Sequence, residues 1–118
     1  MSAALERYYQ ARHERFKDLL RWRQQLPGLL KAVRKVLPDG DVYVFGSALR
    51  DELTANSDVD VLIVSENIKE RHRQGVAVAI EEELENPWIF EMHLVNRDGM
   101  AWYKRHAGNL VPAEEITQ

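Results

Sequence analysis

Apolar residues recur at steps of three and four along the first part of the chain. Leu5, Tyr8, Tyr9, Phe16, Leu19, Leu20 and Trp22 follow that spacing, with charges between them, which predicts one amphipathic helix over residues 4–25. Pro27-Gly28 breaks the pattern. Leu29, Leu30, Val33, Val36 and Leu37 then mark the inward face of a second helix over about 29–37, and Pro38-Asp39-Gly40 ends it in a turn. The period now changes. Val42 to Phe45 and Val59 to Val64 are runs of β-branched, aromatic and aliphatic residues, so both read as strands. A looser apolar stripe through Ile68, Val76, Ile80 and Leu84 predicts a helix over about 69–85, stopped by Asn86-Pro87. Residues 88–95 alternate as a third strand, with Glu91, His93 and Val95 on one face and Phe90, Met92 and Leu94 on the other. Asn96 to Gly99 reads as a turn, a short helix runs from Met100 to Lys104 or His106, and the chain from Gly108 onward is polar and reads as a loose tail.

Chemistry concentrates between the first two strands. Gly46-Ser47 ends the first, and glycine there permits a turn and a close approach to the main chain. Backbone N–H groups of such a turn, with the Ser47 hydroxyl, suit phosphate oxygens. Asp58 and Asp60 flank Val59, and residues two apart on a strand share a face. Two carboxylates on one face repel each other, which a divalent cation relieves. Asp-x-Asp by itself is also what a solvated strand end looks like; Gly-Ser followed ten residues later by Asp-x-Asp is far more specific. Arg50 either reaches phosphate with its planar fork or pairs with Asp51 or Glu52 on the surface. Ser57 suits the turn into the second strand, or orients a carboxylate.

The run VFGS, ten residues, then DVDVLIV resembles the signature of the nucleotidyltransferase superfamily typified by DNA polymerase β. The short chain is similar to the minimal nucleotidyltransferases (MNT) of that superfamily, over about Tyr43 to Val95. The resemblance implies an α+β, two-layer fold: a small mixed β-sheet with helices packed on one face. It implies nucleotide binding by Gly46 and Ser47, with Arg50 nearby. Asp58 and Asp60 are then metal ligands and catalytic residues, completed by a third carboxylate on a later strand. Glu91 is the candidate for that carboxylate, and a departure, since many relatives carry Asp; one extra methylene alters the spacing of its oxygens. His93, on the same face, is a supporting donor, a base, or a histidine satisfied within the core. The implied reaction moves a nucleoside monophosphate, AMP from ATP in the first instance, to an acceptor hydroxyl, with two Mg²⁺ ions about 3.5–4 Å apart.

Composition narrows the class. At 118 residues the chain suits one small domain, with its core over about 29–106 between the first helix and the tail. A net charge of −3 argues against direct, charge-driven nucleic-acid binding. There is no cysteine, so thiolate metal sites are excluded, and no apolar run approaches membrane length; the expected location is cytoplasmic. The basic face of the first helix, with Arg7, Arg12, Arg15, Lys17, Arg21 and Arg23, is either solvated or a contact surface for an acidic partner or for nucleic acid. So small a chain needs its acceptor presented by a partner or by a second copy of itself. The resemblance extends to antitoxins of HEPN–MNT pairs, which implies a helical HEPN-type toxin as the AMP acceptor. Two alternatives stay open: a nucleotide- or metal-binding module of weak or no activity that neutralises its partner by binding, and a small-molecule nucleotidyltransferase of the aminoglycoside type.

Overall fold

The computed structural model describes residues 2–117. Met1 and Gln118, the two ends of the expected domain and tail, lie outside the described residues. Helix α1 spans Ala3–Leu20 and starts at an N-cap, where the Ser2 hydroxyl accepts a hydrogen bond from the Leu5 amide. Every residue from Ser2 to Arg15 is exposed, so most of this helix buries no side chain in the core. Leu19, with Phe16 behind it, anchors its last turn in the core.

The first correction falls here. The break comes at Arg21, not at Pro27, and helix α2 runs Trp22–Val36 with Pro27 inside it. Proline lacks the N–H that would reach the carbonyl one turn back, at a cost of about 3 kcal/mol. Pro27 and Gly28 lie on the exposed side, where water reaches the freed carbonyl, while Leu26, Leu29 and Val33 of the same helix are wholly buried. At roughly 1.5–3 kcal/mol for each, those side chains outweigh the proline.

Strands β1 (Asp41–Phe45) and β2 (Val59–Val64) lie where the pattern predicts, and β3 (Phe90–Val95) starts two residues later than expected, because Pro87–Ile89 forms a 3₁₀ turn that takes up Trp88 and Ile89. A fourth, β4 (Val111–Pro112), completes a mixed sheet of order β3-β2-β1-β4. β1 is antiparallel to β2 and to β4, and β2 is parallel to β3. The expected loose tail is therefore corrected. Val111 and Pro112 pair with Val44 and Tyr43, and a helical turn, α5 (Ala113–Ile116), follows with Ala113 fully buried. The apolar residues Val111, Ala113 and Ile116 were too few to reveal a period, but enough to close the sheet edge.

Register divides the sheet into two chemically distinct faces. Val44, Val61 and Met92 form one row, facing the core with α2 and helix α3 (Arg73–Glu81). The α3 expectation of 69–85 shortens because a 3₁₀ turn, Glu70–His72, precedes it and residues 82–84 leave the helix as a turn. Phe45, Asp60 and Glu91 form the next row, which points to the other face. Helix α4 (Arg97–His106) approaches this second face: a Cβ added at Gly99 would sit 2.8 Å from Val95 Cβ, and Tyr103 meets Phe45 edge to face. Asn96 is the N-cap of α4, accepting from the Gly99 amide, so the predicted turn at 96–99 is the first turn of the helix. Asp39 joins the two ends of the β1–β2 pair by accepting from the Ser65 hydroxyl, the Glu66 amide and the Asn67 side chain. Among the described residues, no helix is long and apolar enough to cross a membrane.

Candidate active site

The site starts at the last residue of β1. Gly46 follows Phe45 with φ +81°, a left-handed conformation that favours glycine. A Cβ there would meet Asp60 Oδ2 at 2.6 Å, closer than atoms pack. The absence of a side chain is what lets the Asp60 carboxylate lie against the turn. Ser47 is the second residue of a 3₁₀ turn, Gly46–Arg50, and its hydroxyl makes no hydrogen bond among the described residues.

Asp60 sits between Phe45 on one side and Glu91, its partner in the parallel β2–β3 register, on the other. His93, two residues further along β3, falls on the same face. Its Nε2 lies 3.4 Å from Asp60 Oδ1 and 4.0 Å from Glu91 Oε1, while its Nδ1 lies 3.1 Å from the Tyr103 hydroxyl. Phe45, His93 and Tyr103 pack in a ring triangle with centroids 5.2–5.8 Å apart. One oxygen each of Asp60 and Glu91 and one nitrogen of His93 fall within 4.8 Å of one another. Glu91 is the most open of the three, its side chain 57% exposed against 26% for Asp60 and His93.

Glu91 carries the electrostatic signature of this crowding. Its carboxyl is held above the ordinary value, first by hydrogen bonding to Asp60, then by partial burial and by the Asp60 charge; His93 opposes the rise and Asp58 adds to it. Two adjacent carboxylates with an imidazole beside them are a donor set a divalent cation fits.

Asp58 is not one of the three converging groups, though its charge reaches Glu91. It is exposed, just ahead of β2, and lines a cavity of about 250 Å³ with Arg12, Arg15, Asn56, Ser57 and Trp88. The Arg15 guanidinium lies over the Trp88 ring at 4.6 Å, and Arg12 donates to Asn56 Oδ1 at 3.2 Å. Neither arginine pairs with a carboxylate among the described residues. Arg50 settles into the surface alternative, its Nε donating to Glu52 Oε2 at 3.0 Å. Ser57 does not hold a carboxylate; its Oγ accepts from the Thr54 amide and closes the loop into β2. His93, which the sequence left between core and site, borders the site. Tyr103, Arg12, Arg15 and Trp88 were not read as site residues. Tyr103 lies ten positions from His93 with no periodic signal linking them, and the arginines looked like part of a solvated helix face.

A search of curated proteins returned no match. Two solved structures share the fold. One, provisionally assigned as a nucleotidyltransferase, is 25% identical, with TM-score 0.55, over 70% of this chain and 89% of the other. The second, a protein of Sulfolobus solfataricus with the same provisional assignment, is 20% identical, with TM-score 0.55, over 80% of this chain and 82% of the other, a likeness of fold alone. Residues 26–107, from the second turn of α2 to the end of α4, match the nucleotidyltransferase domain. With the Gly-Ser turn set against Asp60 and Glu91 within that span, the chain belongs to the nucleotidyltransferase domain family.

Proposed function

We propose that this chain transfers a nucleoside monophosphate, AMP from ATP in the first instance, to a hydroxyl on a partner protein. One observation carries the reading: Asp60 and Glu91 stand side by side and Asp60 lies against the Gly46 turn, in a chain of this family. Asp60 and Glu91 would hold a divalent cation, with Asp58 at the mouth of the site. Bound there, the cation supplies charge neutralisation for the triphosphate and Lewis-acid activation of the attacking oxygen.

The chain's own residues do the remaining work. The Ser47 hydroxyl and the backbone of the turn orient phosphate oxygens. The acceptor oxygen forms a bond to the α-phosphorus as the bond to pyrophosphate breaks, and the acceptor's proton passes to an ionised carboxylate, Glu91 being the exposed one. Positioning in this way accounts for much of the rate in such transfers. The carboxylates open to solvent rather than into an enclosed pocket, which favours an acceptor presented by a macromolecule over a small molecule. A helical HEPN-type toxin neutralised by AMP transfer is the partner this reading selects.

Asp58's place outside the cluster favours a second reading, a weakly active module that neutralises its partner by binding. Incubation with ATP, a divalent cation and a co-expressed helical partner tests both. A mass gain of one AMP on the partner, lost in Asp60→Asn, is the expected result. A partner that gains no mass, yet stays complexed and neutralised by an Asp60→Asn/Glu91→Gln variant, supports the module instead.

A further inference from the structure

We propose that His93 is itself a ligand of the cation, and that this makes the site select a divalent transition ion such as Mn²⁺ over Mg²⁺. The inference rests on the reading above, in that Asp60 and Glu91 are taken as the other ligands.

Three observations carry it. The first is spacing. Donor atoms about 2.1 Å from one ion lie about 3.0 Å apart when adjacent and about 4.2 Å apart when opposite. His93 Nε2 lies 3.4 Å from Asp60 Oδ1 and 4.0 Å from Glu91 Oε1, between those limits. The first separation is long for a hydrogen bond to a carboxylate, which closes to about 2.7–2.9 Å when charged. The widest pairing in the cluster, at most 4.8 Å, reaches the opposite spacing with about 0.6 Å of side-chain movement.

The second is orientation. His93 Nδ1 lies 3.1 Å from the Tyr103 hydroxyl. With the proton on Nδ1, Tyr103 accepts it and the Nε2 lone pair faces the two carboxylates. A partner on the far ring nitrogen fixes the tautomer and the ring plane of a metal-bound histidine. Phe45 packs at 5.2 Å from the imidazole centroid and limits its rotation. Asp60 is fixed from the other side, since Oδ2 lies against Gly46 and Oδ1 is left toward His93.

The third is donor chemistry. Mg²⁺ prefers all-oxygen surroundings and keeps its waters, whereas imidazole nitrogen favours Mn²⁺ less than later metals, but more than it favours Mg²⁺. Asp58, the oxygen ligand a Mg²⁺ site would take from the Asp-x-Asp pair, lies outside the cluster, and a nitrogen stands in it.

The test is binding of MnCl₂ to the chelator-treated full chain, followed by electron paramagnetic resonance, with MgCl₂ as competitor. The expected result is a pulsed spectrum showing imidazole nitrogen coupled to bound Mn²⁺. Mn²⁺ should bind at least about tenfold more tightly than Mg²⁺. His93→Gln should remove the coupling and cut Mn²⁺ affinity about 10–100-fold while leaving Mg²⁺ affinity within about twofold. Tyr103→Phe, which keeps the ring and its packing, should retain the coupling with weaker binding. Bound Mn²⁺ without nitrogen coupling in the unmutated protein overturns the inference and leaves the carboxylate site standing, a result that does not depend on whether the His93 variant folds. Coupling that survives His93→Gln assigns the nitrogen to another histidine and overturns it equally. Binding unchanged in Asp60→Asn/Glu91→Gln, or no binding of either ion, overturns the site itself.

Discussion

Gly46→Ala isolates the contact on which the site is built. Two penalties follow from the structure. The alanine must hold φ +81°, which costs an L-residue about 1–2 kcal/mol, a five- to thirty-fold loss in the folding equilibrium. Its Cβ also meets Asp60 Oδ2 at 2.6 Å, so the carboxylate must retreat by about 0.8 Å to reach ordinary contact. A misplacement of 1 Å costs a catalytic group about a hundredfold, so a shift of this size costs roughly fortyfold in turnover beyond the stability loss. Urea unfolding followed by tryptophan fluorescence reads the first, Trp22 being 1% exposed; pyrophosphate release from ATP reads the second. Gly75→Ala is the control. That glycine lies within α3 with no heavy atom inside 4 Å of an added Cβ, so alanine should stabilise by about 0.5–1 kcal/mol and leave turnover unchanged. A Gly46→Ala protein that unfolds at the wild-type midpoint and turns over normally refutes the argument that Asp60 is seated by the missing side chain.

Three further outcomes are expected. Because the Glu91 carboxyl is raised, the folded chain without cation binds its proton more tightly than the unfolded one, so stability declines as pH climbs through and above the usual 4.5; Glu91→Gln should remove that decline and be the more stable protein at pH 7, as urea midpoints at pH 4 and 7 will reveal. Arg12→Ala/Arg15→Ala should raise KM for the anionic substrate severalfold and flatten its salt dependence, with the unfolding midpoint shifted by no more than about 0.5 kcal/mol, since both side chains are exposed. Ending the chain after Leu110 removes β4, buried Ala113 and the Arg34–Glu114 pair, and should lower stability by about 2 kcal/mol, seen as a Tm drop of about 10 °C by calorimetry.

Strands β1, β2 and β3 were legible because each is strongly apolar and bounded by turn residues. The alternation of β3 by itself puts Glu91 and His93 on one face. Pro27 misled because a proline's cost is local, whereas the burial of Leu26, Leu29 and Val33 that overrides it is tertiary. The site was half legible. Gly46, Asp60 and Glu91 meet because register aligns them, and two matching periods can suggest that register. The Tyr103–His93 contact and the entry of Arg12 and Arg15 beside Trp88 depend on how helices cross the sheet. No spacing within a single segment encodes those crossings.

The order β3-β2-β1-β4 leaves β3 as an outer strand, bonded to the sheet on one side only. Sliding it a single residue along β2 would turn Glu91 and His93 inward and push Phe90, Met92 and Leu94 into water. Phe90 at 7% and Leu94 at 4% exposure therefore act as a latch on the chemistry opposite them: the grease on one side of the ribbon keeps the acids aimed on the other.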